Sequence, residues 1–144
     1  MPTAAESLAA DFAGWDRLAA TPPPDLDPWA VTHLDLLTAA AQRGTAALAH
    51  GDTLAHTDIR ADNMLIRTDG RIVIVDWPWG CTGPAWLDTV FLAVNVIVHG
   101  GDGDRVLAGL DRDAAHAVIA GFTGYFQHTC RQPPVSALPT VRAL

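Results

Sequence analysis

Asp69 and Gly70 stand between two β-rich runs, Met64 to Arg67 and Arg71 to Val75, and an Asp-Gly pair so placed predicts a β-hairpin. A hairpin closed by a two-residue turn fixes its own register. Thr68 would then face Arg71, and stepping outward along both strands Asn63 would face Asp76. Side chains that face each other across an antiparallel pair share one side of the sheet, with Cβ atoms about 4.5 to 5.5 Å apart. An amide oxygen and a carboxylate are thereby expected to converge on one point. A slip of one residue would spoil the facing arrangement.

Upstream of the hairpin the apolar period is helical. Thr3 followed by Glu6 forms a capping-box pattern, and Leu8, Phe12, Trp15 and Leu18 recur at helical spacing, so one helix is expected to about Ala20. Pro22, Pro23 and Pro24 stop it. Asp27 before Pro28 offers a second start, for a helix carrying Trp29, Leu34, Leu37 and Leu48, breaking near Gly44 and ending at Gly51. Thr53 to His56 reads as short and extended. After the hairpin, a loop rich in Trp, Pro and Gly leads to an apolar helix over about Ala85 to His99. A short helix is expected over Val106 to Leu110, and a longer one capped by Asp111 runs to about Cys130. Ser136 to Leu144 reads as the opening of another helix, which makes the C-terminus look truncated. The expected fold class is α+β, mainly α, in a single domain over residues 1–144.

The 144 residues are 49% hydrophobic and 17% charged, enough apolar material for one core of useful size. All nine basic residues are arginine; none is lysine. A net charge of −7 without a basic run argues against nucleic acid as a partner, because phosphates demand clustered Lys and Arg. The longest apolar stretch, Val90 to Val98, is interrupted by Asn95 and too short to cross a bilayer, so no membrane partner is expected. Cys81 and Cys130 lack CxxC spacing, and no charged-then-apolar leader opens the chain, so a cytoplasmic protein is expected.

His56, Thr57, Asp58, Ile59, Arg60, Ala61, Asp62 and Asn63 satisfy the HxDxxxxN spacing of a kinase catalytic loop, and the hairpin then leads into Asp76. Asp58 leaves the extended segment at a loop where a carboxylate can accept a hydrogen bond from an incoming hydroxyl. Oxygen ligands at Asn63 and Asp76 suit magnesium, a hard cation that leaves positions for phosphates and water. Arg60 could supply one of the cations that phosphoryl transfer requires. Taken singly, Asp62, Asp69 and Asp102 read as turn formers. Trp77 and Trp79 read as packing beside a loop, or as the wall of a substrate pocket. The other five histidines lack mutual ligand spacing.

The segment LAHTDIRADNMLIRTDGRIVIVDWPWG resembles the aminoglycoside phosphotransferase family, whose members share the protein-kinase-like fold. The resemblance extends from about Trp29 to Leu144. It implies the C-terminal lobe of that fold, a short hairpin bearing the catalytic loop, and ATP-dependent phosphorylation of a hydroxyl on a small molecule. By position, Asp58 matches the catalytic aspartate, Arg60 a basic position near the γ-phosphate, and Asn63 and Asp76 the magnesium ligands. His56 would brace the loop, and Asp88 matches an aspartate expected to tie that loop down. The sequence departs from the family in two places: Thr57 stands where glycine is frequent, and Asp76 is followed by Trp77, Pro78 and Trp79 before Gly80.

Kinases of this fold pair a strand lysine with the α- and β-phosphates under a glycine-bearing loop. With no lysine and no alternating strands before Asp58, the nucleotide-gripping lobe is expected to be absent and the isolated chain inactive. Two readings of other classes stand beside the kinase. One is a metal-dependent phosphohydrolase using His56, Asp58 and Asp76. The other is a noncatalytic interaction module that self-associates through apolar surface left uncovered by the missing lobe.

Overall fold

The computed structural model describes residues 1–133, so the expected helix over Ser136 to Leu144 lies outside the described residues. The fold is α+β and mainly helical, as expected, with two separate two-stranded sheets. Thr3 opens α1 (Ala4–Phe12) with the full capping box: its hydroxyl accepts from the Glu6 amide, and the Glu6 carboxylate accepts from the Thr3 amide. The chain does not run on as one helix. It breaks at Ala13 and restarts as α2 (Gly14–Ala20), because Gly14 lies directly against α7 (Arg112–Thr129). A Cβ on Gly14 would come within 2.3 Å of the Gly124 carbonyl oxygen.

The second expected helix is likewise two. Asp27 caps α3 (Pro28–Thr32) through the Trp29 and Ala30 amides, and the break falls at His33 before α4 (Leu34–Ala47). Gly44, expected to break the helix, lies buried within α4. It lets α4 and α7 approach, since a Cβ there would meet the Ala117 carbonyl oxygen at 2.5 Å. Its role is contact rather than interruption.

β1 (Thr53–Ala55) pairs antiparallel with β4 (Cys81–Gly83), a strand too short to show in the sequence. β2 (Met64–Ile66) pairs with β3 (Ile72–Ile74). α5 (Leu87–Val98) follows, then α6 (Gly103–Val106), which starts earlier than expected because Asp102 caps it by accepting from the Arg105 amide. Asp111 caps α7 as expected.

Two apolar clusters hold these elements. In the larger, Leu8 and Phe12 of α1, Leu87, Val90 and Ala93 of α5, and Val118 and Phe122 of α7 enclose Leu48, Ala55 and Cys81. In the smaller, Trp15, Leu18, Leu26, Ala30 and Ala41 pack together, and the Trp15 indole donates to the Ala120 carbonyl at 2.8 Å. Ala55 and Cys81 are thus anchor points from which β1 and β4 deliver the loops at 56–63 and 76–80.

Candidate active site

The expected register is wrong by one residue. Met64 faces Ile74, Leu65 faces Val73 and Ile66 faces Ile72, so the loop has three residues. The Gly70 amide donates to the Arg67 carbonyl at 2.9 Å, the Arg67 amide to the Arg71 carbonyl at 2.8 Å, and Gly70 takes φ 80°. This is a turn followed by a left-handed glycine, the usual build of a three-residue hairpin. A two-residue type I′ turn needs positive φ at both central residues. Asp69 is not among the residues with positive φ, and its carboxylate accepts from the Arg71 amide at 3.1 Å. Asn63 therefore faces Val75, whose amide donates to the Asn63 carbonyl at 3.0 Å, and Asp76 lies one step past the ladder.

Asp76 itself has φ 63°, a left-handed turn of the backbone that ends the strand alternation and re-aims its side chain. Arg60 is held above the usual arginine range first by its hydrogen bond to Asp62, against the opposing effect of burial, and then by the charges of Asp62, Asp58 and Asp76. Asn63 and Asp76 are not cross-strand partners, and the direct partner of Arg60 is Asp62. Arg60 is engaged by Asp62 through both Nε at 3.1 Å and Nη2. Asp62 is held below the usual carboxylate range by the same bond. It is an ion-pair partner as well as part of the single 3-10 turn over Ala61–Asn63.

Hydrogen bonds fix the catalytic-loop stretch from both ends. The Asp88 carboxylate, in the first turn of α5, accepts from the His56 amide at 2.8 Å and from the Thr57 amide at 3.0 Å. His56 is 1% exposed, with Nε2 2.9 Å from the Val75 carbonyl and Nδ1 accepting from the Asp58 amide at 3.2 Å. These partners require the tautomer with its proton on Nε2, and they leave no ring nitrogen for a metal. Trp77 packs edge-on against the same ring, with centroids 4.6 Å apart, and its indole donates to the Ile74 carbonyl. Trp77 packs on this one side and is 44% exposed on the rest, and Trp79 is 68% exposed.

Asn63 is buried, and its amide nitrogen donates to the Asp58 backbone carbonyl at 2.9 Å and to Asp58 Oδ2 at 3.0 Å. That spends both N–H donors. Among the described residues no hydrogen bond reaches Asn63 Oδ1, Asp58 Oδ1 or the Asp76 carboxylate. Amide and carboxylate oxygens of this kind are the donor type that a hard cation takes. Three His, Cys, Asp or Glu side chains grouped to hold a metal are not found among the described residues. An Asn-plus-Asp pair would thus depend on phosphate or water oxygens to complete its shell.

Sequence reasoning missed the Thr57 side chain. Thr57 takes φ 61°, a conformation costing a β-branched residue about 1–2 kcal/mol, while its hydroxyl donates to the Trp79 carbonyl at 3.0 Å. Glycine, the residue expected here from the resemblance, would take such a φ without strain.

Asn63 is buried against Asp58, which is half-buried, whereas Arg60 and Asp76 are exposed. A separate concavity, lined by Ile97, Asp102, Leu107 and His116, involves none of them. Comparison of the chain with protein-family models, with curated proteins and with solved structures returns no match.

Proposed function

We propose that this chain carries the catalytic loop of an ATP-dependent phosphotransferase of the aminoglycoside phosphotransferase type, acting on a hydroxyl of a small molecule. One observation carries the reading: Asn63 turns both amide hydrogens onto Asp58 and leaves its own Oδ1 and the second Asp58 oxygen without a protein partner, with the unpartnered Asp76 carboxylate just past the paired strand. Asp58 is the acceptor that orients the attacking hydroxyl. Asn63 and Asp76 are the magnesium ligands, and Arg60, once drawn from Asp62, faces the transferring phosphoryl. Bound magnesium supplies neutralisation of phosphate charge. The lysine that pairs with the α- and β-phosphates has no counterpart among the 144 residues and must come from another segment.

The test uses Mn2+ as a paramagnetic stand-in for magnesium, read by water-proton relaxation with and without ATP. Asp76→Asn and Asn63→Ala are each expected to weaken Mn2+ retention roughly tenfold or more. Equal retention by wild type and the double variant would refute the reading. The phosphohydrolase alternative is disfavoured because both His56 ring nitrogens are already engaged.

A second reading, self-association, is favoured by the β2–β3 hairpin. Leu65 is 54% exposed on one face, and Ile66 and Ile72 are 78% and 60% exposed on the other. A two-stranded hairpin so uncovered is marginal alone, and its free edge accepts another strand. A second copy of the chain is the proposed occupant. Sedimentation is expected to depend on concentration for wild type and not for the Ile66→Lys/Ile72→Glu pair. Identical profiles for the two proteins would remove this reading.

A further inference from the structure

We propose that Thr57 is a positioning residue whose hydroxyl latches the loop carrying Asp58 to the loop following Asp76, so that the two carboxylates are held at one site. The role presupposes the phosphotransferase reading given above, but the latch itself is a matter of geometry.

Three observations converge on this residue. Its backbone sits at φ 61°, in the left-handed region that β-branched side chains avoid. Such a conformation persists where the surroundings over-determine it. Here they do: the Thr57 amide donates to Asp88 Oδ1 at 3.0 Å, its neighbours' amides are bound at His56 and Asp58, and the side chain is 8% exposed. Finally, the hydroxyl donates to the Trp79 carbonyl at 3.0 Å, across 22 residues of chain.

Glycine at position 57 would adopt the same backbone without strain but could not reach Trp79. What threonine adds is therefore the bond to the 77–80 turn, which is closed internally by the Gly80 amide on the Trp77 carbonyl at 3.2 Å. His56 already links to Val75, just before Asp76. With Thr57 bonded to Trp79, just after it, Asp76 is flanked on both sides by ties to the Asp58 loop. Its own carboxylate accepts no hydrogen bond from a described residue, so these flanking ties are what fix its place.

The experiment compares wild type with Thr57→Ser, Thr57→Val and Thr57→Gly by Mn2+ titration, amide exchange over residues 76–80, and thermal melting. Serine keeps the hydroxyl and should bind Mn2+ within about twofold of wild type. Valine and glycine should each weaken Mn2+ roughly tenfold and speed exchange at Gly80 by roughly tenfold. Thr57→Gly should nonetheless melt close to wild type, because relieved strain offsets the lost bond and the added freedom of the unfolded chain. A residue that merely stabilised the fold would move the melting temperature and leave relative Mn2+ affinity alone. The proposal is overturned if valine and glycine match serine in both titration and exchange. If wild type holds no Mn2+, the phosphotransferase reading fails, and exchange alone decides the latch: faster at Gly80 in valine and glycine but not serine supports it, and equal rates overturn it.

Discussion

Asp88→Ala is expected to destabilise the chain by about 3–5 kcal/mol, more than any other single change at the candidate site. The carboxylate accepts from two successive backbone amides, those of His56 and Thr57, at 2.8 and 3.0 Å. Bonds to a charged acceptor contribute about 1.5–3 kcal/mol each, and both donors belong to buried residues that would be left without a partner. The charge also lies in the first turn of α5, where a helix N-terminus favours an anion. Its field is felt nearby: burial first, and then the Asp88 charge, raise the Cys81 thiol above its ordinary value. For a chain of this size the loss corresponds to a fall in Tm of roughly 10–15 °C. Asp88→Asn keeps one acceptor oxygen and should lose about half as much. Because the two amides precede Asp58 directly, the alanine variant should also lose the Asn63-to-Asp58 geometry, seen as weaker Mn2+ retention even at temperatures where it remains folded. A thermal melt of Asp88→Ala within a degree or two of wild type would show that the carboxylate does not hold the loop.

The local signals of this fold were legible wherever a side chain acts on its own neighbourhood. The Thr3 and Glu6 capping box, the Asp27 cap before Pro28, the Asp111 cap and the apolar α5 all follow from residues within one or two turns of one another. What failed was whatever another part of the chain decides. Gly44 looks like a helix breaker, yet it is glycine because the Ala117 backbone comes too close for a Cβ, and the break before Gly14, where the Gly124 backbone comes equally close, had no local signal. The hairpin register turned on whether Asp69 would take positive φ, and an Asp-Gly pair serves a two-residue or a three-residue loop equally well. Its carboxylate bond to the Arg71 amide goes with the longer loop. At the site, the HxDxxxxN spacing brought Asp58 and Asn63 into direct contact. The placement of Asp76 came instead from its own left-handed backbone and from ties at Val75 and Trp79. Neither the Thr57 conformation nor the Arg60–Asp62 pair leaves a periodic mark in the sequence.

Phe122→Ala should cost about 3–5 kcal/mol, by removing a buried ring that packs between three helices. Phe122 projects from α7 and is 6% exposed. Its ring meets Phe12 of α1 edge-on at 5.0 Å and Phe91 of α5 at 4.4 Å, so truncation opens a cavity between all three helices and forfeits two aromatic contacts. The surroundings have little room to close the gap. Gly121, the preceding residue, is already so near Phe12 that a Cβ there would stand 2.5 Å from the ring, and α1 is tied at its start by the Thr82 amide on the Pro2 carbonyl. The consequence reaches the candidate site through α5. Phe91 lies one turn after Asp88, so a shift of Phe91 into the cavity would move the carboxylate that binds the His56 and Thr57 amides. Phe122→Leu, which refills most of the space, should recover more than half of the stability. The comparison that decides the coupling is amide exchange at His56 and Thr57: it should rise in Phe122→Ala and return toward wild type in Phe122→Leu. Unchanged exchange in the alanine variant would mean that the loop is held without help from the core behind it.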